Sequence, residues 1–125
     1  MTSGPTMAML AALRGEPFQI AFSGTAQYDF APDVARGAVI AAHATTESAA
    51  VYNVPGAFAD VADVVACIEA EVPGAEITWT GDRLPFPPAF ESVGFDRDIG
   101  VFPRTPLADG VAATMAHFRQ TLATG

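Results

Sequence analysis

Lysine is absent from this chain, cysteine occurs once and histidine twice, and all six basic residues are arginine against 14 acids. Without lysine there is no Schiff-base chemistry, no phosphate-loop lysine and no Tyr-Lys proton relay. A formal charge of −8 and a pI near 4.4 repel phosphate backbones and anionic bilayers, which argues against nucleic acid and membrane partners. A lone Cys67 excludes an internal disulfide framework. No run approaches the ~20 apolar residues of a membrane span, and the N-terminus lacks the basic start and apolar core of a signal peptide. The expectation is a soluble, cytoplasmic protein.

Catalytic patterns are equally sparse. The eleven glycines never gather into a phosphate cradle after a strand, so no dinucleotide fingerprint is present. His43 and His117 have no Cys, His or Asp at metal-ligand spacing, which argues against zinc. Ser3, Ser23, Ser48 and Ser92 lack the Gly-x-Ser-x-Gly turn of a hydrolase nucleophile. Cys67 lies beside a helical apolar stripe and reads as packing. Asp96 and Asp98 flank Arg97, an arrangement typical of a solvated turn.

What the chain has in quantity is apolar residues. Half of its 125 residues are hydrophobic and nine are Phe, enough to bury a core as one domain. Ser3 caps a helix with a stripe of Met7, Leu10, Ala11 and Leu13, ending at Gly15. Strands are predicted over 18–22 and 27–31, the second placing Tyr28 and Phe30 on one face. A helix follows from Asp33 to about Ala44, apolar nearly all round, a pattern normally buried on most sides. The run 50–54 reads as a buried strand. Asp60 caps a helix striped by Val61, Val64, Val65 and Ile68, with Asp63 placed for a capping box. A strand over 75–80 comes next, then an irregular apolar stretch over 81–103. Thr105-Pro106 opens a last helix striped by Leu107, Val111, Met115, Phe118 and Leu122. The alternation predicts an α/β fold (α+β being the alternative), with one small mixed sheet and about four helices.

Binding features centre on Arg83, followed by Leu84-Pro85-Phe86-Pro87-Pro88. One cation beside a rigid apolar wall suits a ligand pocket; the same residues equally suit a cover over a hydrophobic flank. Tyr28 and Phe30 fit either a pocket or the core, and Arg104 reads as a surface charge.

The order of these pieces resembles the C-terminal part of the extended short-chain dehydrogenase/reductases, the NAD-dependent epimerase/dehydratase family. The aromatic strand leading into an Asp-Val-Ala helix is matched by Phe30, Asp33, Val34 and Ala35. The strand ending in Asn-x-x-Gly is matched by Tyr52, Asn53 and Gly56. The start of the last helix is matched by Ile99-Gly100, Pro103 and Gly110-Val111, and Ser3-Gly4-Pro5 sits where the family has Tyr-Gly-Pro. The chain departs from the pattern at Pro32-Asp33, where relatives carry paired acids. It also lacks the Gly-rich turn and the Tyr-x-x-x-Lys pair.

The resemblance implies that residues 1–125 are a single substrate-binding portion without the cofactor-binding half, and not catalytic alone. Substrate contacts then fall to Ser3, Tyr28, Arg83 and Phe86, and the substrate is a small molecule such as a nucleotide sugar. No cofactor is expected in this chain, NAD(P) being implied for a full-length relative. The partner is a missing N-terminal cofactor domain, or a second copy. Two alternatives stand beside this: a free-standing small-molecule-binding module, and a dimerising interaction or structural protein. In relatives the Asp33 helix packs against the cofactor domain. Leaving a face of ~300 Å² open forgoes about 7 kcal/mol at ~25 cal/mol/Å², so the chain alone is expected to be marginal or to self-associate.

Overall fold

A computed structural model describes residues 3–45, 49–54, 56–87, 91 and 93–124. Helix α1 (Gly4–Arg14) is capped by Ser3, whose side chain accepts from the Thr6 amide. It ends at Gly15 in the left-handed region (φ 69°), where the Gly15 and Glu16 amides close back onto the carbonyls of Ala12 and Ala11. Only glycine takes that conformation without strain. The buried face of α1 is Pro5, Ala8, Met9, Ala11 and Ala12 rather than the predicted stripe, of which Ala11 alone is buried. The small alanines let the helix lie close to its neighbours, and the longer Met7, Leu10 and Leu13 sit half-buried at its flanks.

Strand β1 (Phe18–Ile20) pairs in parallel with β4 (Ile77–Trp79), Phe18 opposite Ile77. The ladder continues past the strand ends through the Ser23–Arg83 bridge. Between them Gly81 (φ 105°) approaches the Ala21 carbonyl so closely that a Cβ would sit 2.9 Å from its oxygen. Strand β2 (Thr25–Tyr28) pairs antiparallel with β3 (Ala57–Asp60), Tyr28 opposite Ala57. The predicted α/β class is what the structure shows. In place of the one small mixed sheet and about four helices expected, the described residues hold two two-stranded sheets and five helices.

Helix α3 (Val61–Glu71) begins at the predicted capping box: Asp60 accepts from Ala62 N at 3.0 Å, and Asp63 from Asp60 N at 3.0 Å. Its predicted stripe is fully buried. Together with α1, β1, β4 and the last helix, α5 (Leu107–Ala123), it encloses the main core around Ile20, Ile68, Val111 and Met115. Cys67 packs at the edge of that core, where burial pushes its thiol up, the nearby Asp63 adding to the effect. It is therefore a neutral packing group.

Four more sequence expectations are corrected. Residues 50–54 form no strand; Val51 is 98% exposed, and the partner of β2 is the next segment, 57–60. The stretch 81–103 contains a short helix, α4 (Val93–Asp98). There Asp96 binds Arg104, and Asp98 binds Arg97 and Tyr52, so these acids tie segments together. Pro106, rather than Thr105, stands at the cap of α5 with no side-chain cap bond, and the Thr105 amide donates to Asp33 (2.6 Å). The fourth concerns α2 (Ala31–His43), apolar nearly all round yet buried only at Asp33 and Gly37. Asp33 accepts from Thr105 N and Arg36, and Gly37 admits the ring of Phe102, whose atoms would lie 3.3 Å from a Cβ there. Val34 and Val39 stay exposed, Val39 at 59%. Phe102 in turn stacks edge-on with Phe95, and Phe95 with Tyr52, forming a second, aromatic cluster.

Candidate functional site

An open cleft of about 1040 Å³ lies between the start of α1, β2, α5 and the segment that carries Leu84 and Phe86. Its volume is at the upper end of small-molecule sites. Apolar side chains build most of its wall, among them Met9, Phe22, Val64, Leu84 and Val111. On its wall α5 approaches Phe30 at Gly110, where an added Cβ would touch the ring.

Three of the four predicted substrate contacts share this cleft: Ser3, Tyr28 and Phe86. Ser3 reaches it from the α1 cap, its hydroxyl 2.6 Å from that of Thr6. Phe86 stands at the mouth, 66% exposed. Arg83 is not among the lining residues; it bridges to Ser23 with its side chain against Gly24, where a Cβ would meet Arg83 Cγ at 2.9 Å.

Tyr28 is the most informative of the set. Its hydroxyl is buried and has no hydrogen-bond partner among the described residues. Burial pushes its pKa up to about 12, the negative charges of Asp60 and Asp63 adding to the effect. The phenol therefore remains protonated at neutral pH and can both donate and accept.

Gln27 and Asp29 were not singled out from the sequence. Both line the cleft and also a neighbouring groove of about 280 Å³ with Val34, Tyr52, Asn53 and Val54. Gln27 Nε2 donates to Asp29 Oδ1 at 2.7 Å and to the Val54 carbonyl at 3.0 Å, while its Oε1 is buried without a partner. Their adjacency to Tyr28 was the available signal. Thr114 and His117, on the cleft side of α5, lay outside the apolar stripe used to recognise that helix.

The glycines with positive φ stand at 15, 24, 74, 81 and 100, spread over helix ends and turns. Among the described residues none of them both follows a strand and opens a helix. Nor do the described residues bring together three His, Cys, Asp or Glu side chains that could hold a metal ion. No described helix is long and apolar enough to cross a membrane.

No protein-family model matches the sequence, and no curated protein matches it. Solved structures do. A partial consensus L-threonine 3-dehydrogenase superposes with a TM-score of 0.83 and 22% identity, over 93% of this chain and 41% of that one. The fold is that of a part of the extended short-chain dehydrogenase/reductases. A UDP-glucuronic acid 4-epimerase from Bacillus cereus, solved with UDP-glucuronic acid and NAD, gives a TM-score of 0.79 at 19% identity, over 94% of this chain and 40% of its own. The Bordetella bronchiseptica enzyme WbmF, solved with NADH, gives 0.77 at 25% identity, over 98% and 38%. The chain thus spans about two fifths of the length of these enzymes. The likeness anticipated from Phe30-Asp33 and Asn53-Gly56 holds at the level of the fold.

Proposed function

We propose that this chain is the substrate-binding portion of an NAD-dependent epimerase/dehydratase-like protein, and that it does not catalyse alone. The observation that carries this reading is the cleft, which gathers Ser3, Tyr28 and Phe86 in a chain sharing the fold of part of such enzymes. NAD, when bound by a protein of this kind, accepts and returns a hydride. The residues here bind and orient. The apolar wall excludes water from one side of a small molecule, Phe86 covers it at the mouth, and the protonated Tyr28 hydroxyl fixes a polar atom. The absence of lysine leaves this chain without a Tyr-Lys proton relay. The open face of α2 supports a second domain as its cover.

An NMR screen of small soluble fragments against the 125-residue chain tests the reading. Hits are expected to shift amides at Ser3, Tyr28 and Leu107; hits that avoid the cleft overturn it. Turnover of NAD by this chain alone would equally refute the non-catalytic part.

A further inference from the structure

Among the described residues, Asp33 is the one charged residue that is buried. A buried carboxylate is costly unless its oxygens find donors, and Asp33 finds them on two segments of chain. Oδ2 accepts from the Thr105 amide at 2.6 Å, and Oδ1 from Arg36 Nη1 at 3.3 Å. The same Arg36 nitrogen donates to the Pro103 carbonyl at 3.4 Å. One acid in the first turn of α2 thus gathers the segment that leads into α5.

That segment runs along α2. Ile40 lies beside Gly100, Phe102 seats against Gly37, and Thr105 ends the row on Asp33. The body of α5 packs instead against α3 and α1. Pro106 gives α5 no side-chain cap, so the entry of the chain into this helix is held by bonds made outside it. Both ends of the Asp33–Thr105 bond adjoin the cleft. Ala31 and Pro32 line it just before Asp33, and Thr105, Pro106 and Leu107 line it on the other side. Asp33 is not itself among the lining residues.

We propose that Asp33 is a positioning residue of the cleft. Through the Thr105 amide it holds the first turn of α5 against the first turn of α2, and so sets the width of the cleft between them. The proposal rests on the substrate-binding reading above and touches no ligand directly. A binding site keeps its contacts only when its walls are held to within about 0.5 Å. A charge-assisted bond from a backbone amide is short and directional, which suits such a joint better than apolar packing does.

The test compares the parent 125-residue chain with Asp33→Ala and Asp33→Asn, all without denaturant and shown to be folded by circular dichroism. Asp33→Ala removes the acceptor of the Thr105 amide, whereas Asp33→Asn keeps an oxygen for it. Residual dipolar couplings report the orientation of α5 relative to α2, and an amide-shift titration with 2-phenylethanol reports the cleft. Asp33→Ala is expected to change the couplings at the start of α5 and to weaken the probe roughly fivefold or more at the Ser3 and Leu107 amides. Asp33→Asn is expected to restore most of both. Should Asp33→Ala not fold, Asp33→Glu carries the same oxygens one methylene further and is expected to change the couplings and the affinity likewise. A purely stabilising role would lower the urea midpoint of Asp33→Ala while leaving the couplings and the affinity of the folded chain at the parent's values, and that result overturns the proposal. It is also overturned if Asp33→Asn departs from the parent as far as Asp33→Ala. If the probe leaves the parent's cleft amides unmoved while the Asp33→Ala couplings change, the substrate-binding reading falls and the joint stands.

Discussion

At the scale of single residues, Tyr28 makes the sharpest statement. Its hydroxyl has no partner among the described residues, and its pKa is raised from 10.0 to about 12. Because the folded value lies above the unfolded one, the unfolded chain releases this proton first as the solution becomes alkaline. The contribution is therefore complete below pH 10 and is lost between pH 10 and about 12. After screening at a partly exposed site, about 1 kcal/mol is expected to disappear over that window. Tyr28→Phe should remove this alkaline slope in urea titrations run from pH 9 to 11. At neutral pH the same substitution should leave stability within about 0.5 kcal/mol of the parent, since no hydrogen bond is given up. A large loss at pH 7 would mean that the hydroxyl has a partner. Asp33 shows the opposite case, a buried carboxylate satisfied by Thr105 N and Arg36. The sequence pointed to Asp33 as a helix start, but not to a bond made across 72 positions of chain.

Among elements, the β2–β3 pair carries the cleft's polar wall, and Gly56 is what allows it to close. A Cβ at Gly56 would sit 2.6 Å from the Tyr28 carbonyl oxygen and overlap the Asp29 carboxylate. Backbone cannot yield as a flexible side chain does. Gly56→Ala is expected to lower stability by about 1–3 kcal/mol, read as a drop of several degrees in thermal unfolding followed by circular dichroism. Gly15→Ala, strained at its left-handed φ but with nothing within 4 Å of the added carbon, separates backbone strain from this overlap. Gly56 also shows how far pattern carried. As part of the Asn-x-x-Gly match it is legible, yet the strand that this match predicts over 50–54 does not form. The apolar run Ala50–Val51–Tyr52 has the composition of a strand, but the hydrogen bonds go to Ala57–Asp60, a segment whose acid and alanines disguise it. The capping box of α3 was legible because it is local, each partner within three residues. The α4 helix escaped because Val93–Asp98 is too short to develop a period. Of the cleft, Tyr28 and Phe86 stood out as aromatics, whereas Gln27 and Asp29 matter only through a juxtaposition with Val54 and the neighbouring strand.

For the molecule as a whole, the unresolved balance lies on α2. A helix that carries Val34, Val39 and several alanines towards solvent leaves apolar surface that another body can cover. Light scattering behind a sizing column is expected to show a mass that rises with concentration for the parent chain. Val39→Glu, at a position 59% exposed, should cost less than about 0.5 kcal/mol in folding stability and return the chain to a monomer. A parent that is monomeric throughout, with Val39→Glu causing no change, would show that this face takes no second copy.

The parallel pairing of β1 with β4 has a consequence in time. Phe18 and Ile77 stand about sixty positions apart, and everything from β2 to α3 lies inside the loop they close. As the chain leaves the ribosome, β1 has no partner until β4 emerges, whereas the capping box of α3 can form at once. Closing so long a loop before any ladder bond repays it is slow relative to forming helices. The two strands at the floor of the core are thus expected to pair later than the local cap of α3 forms, although β1 precedes that cap in the chain.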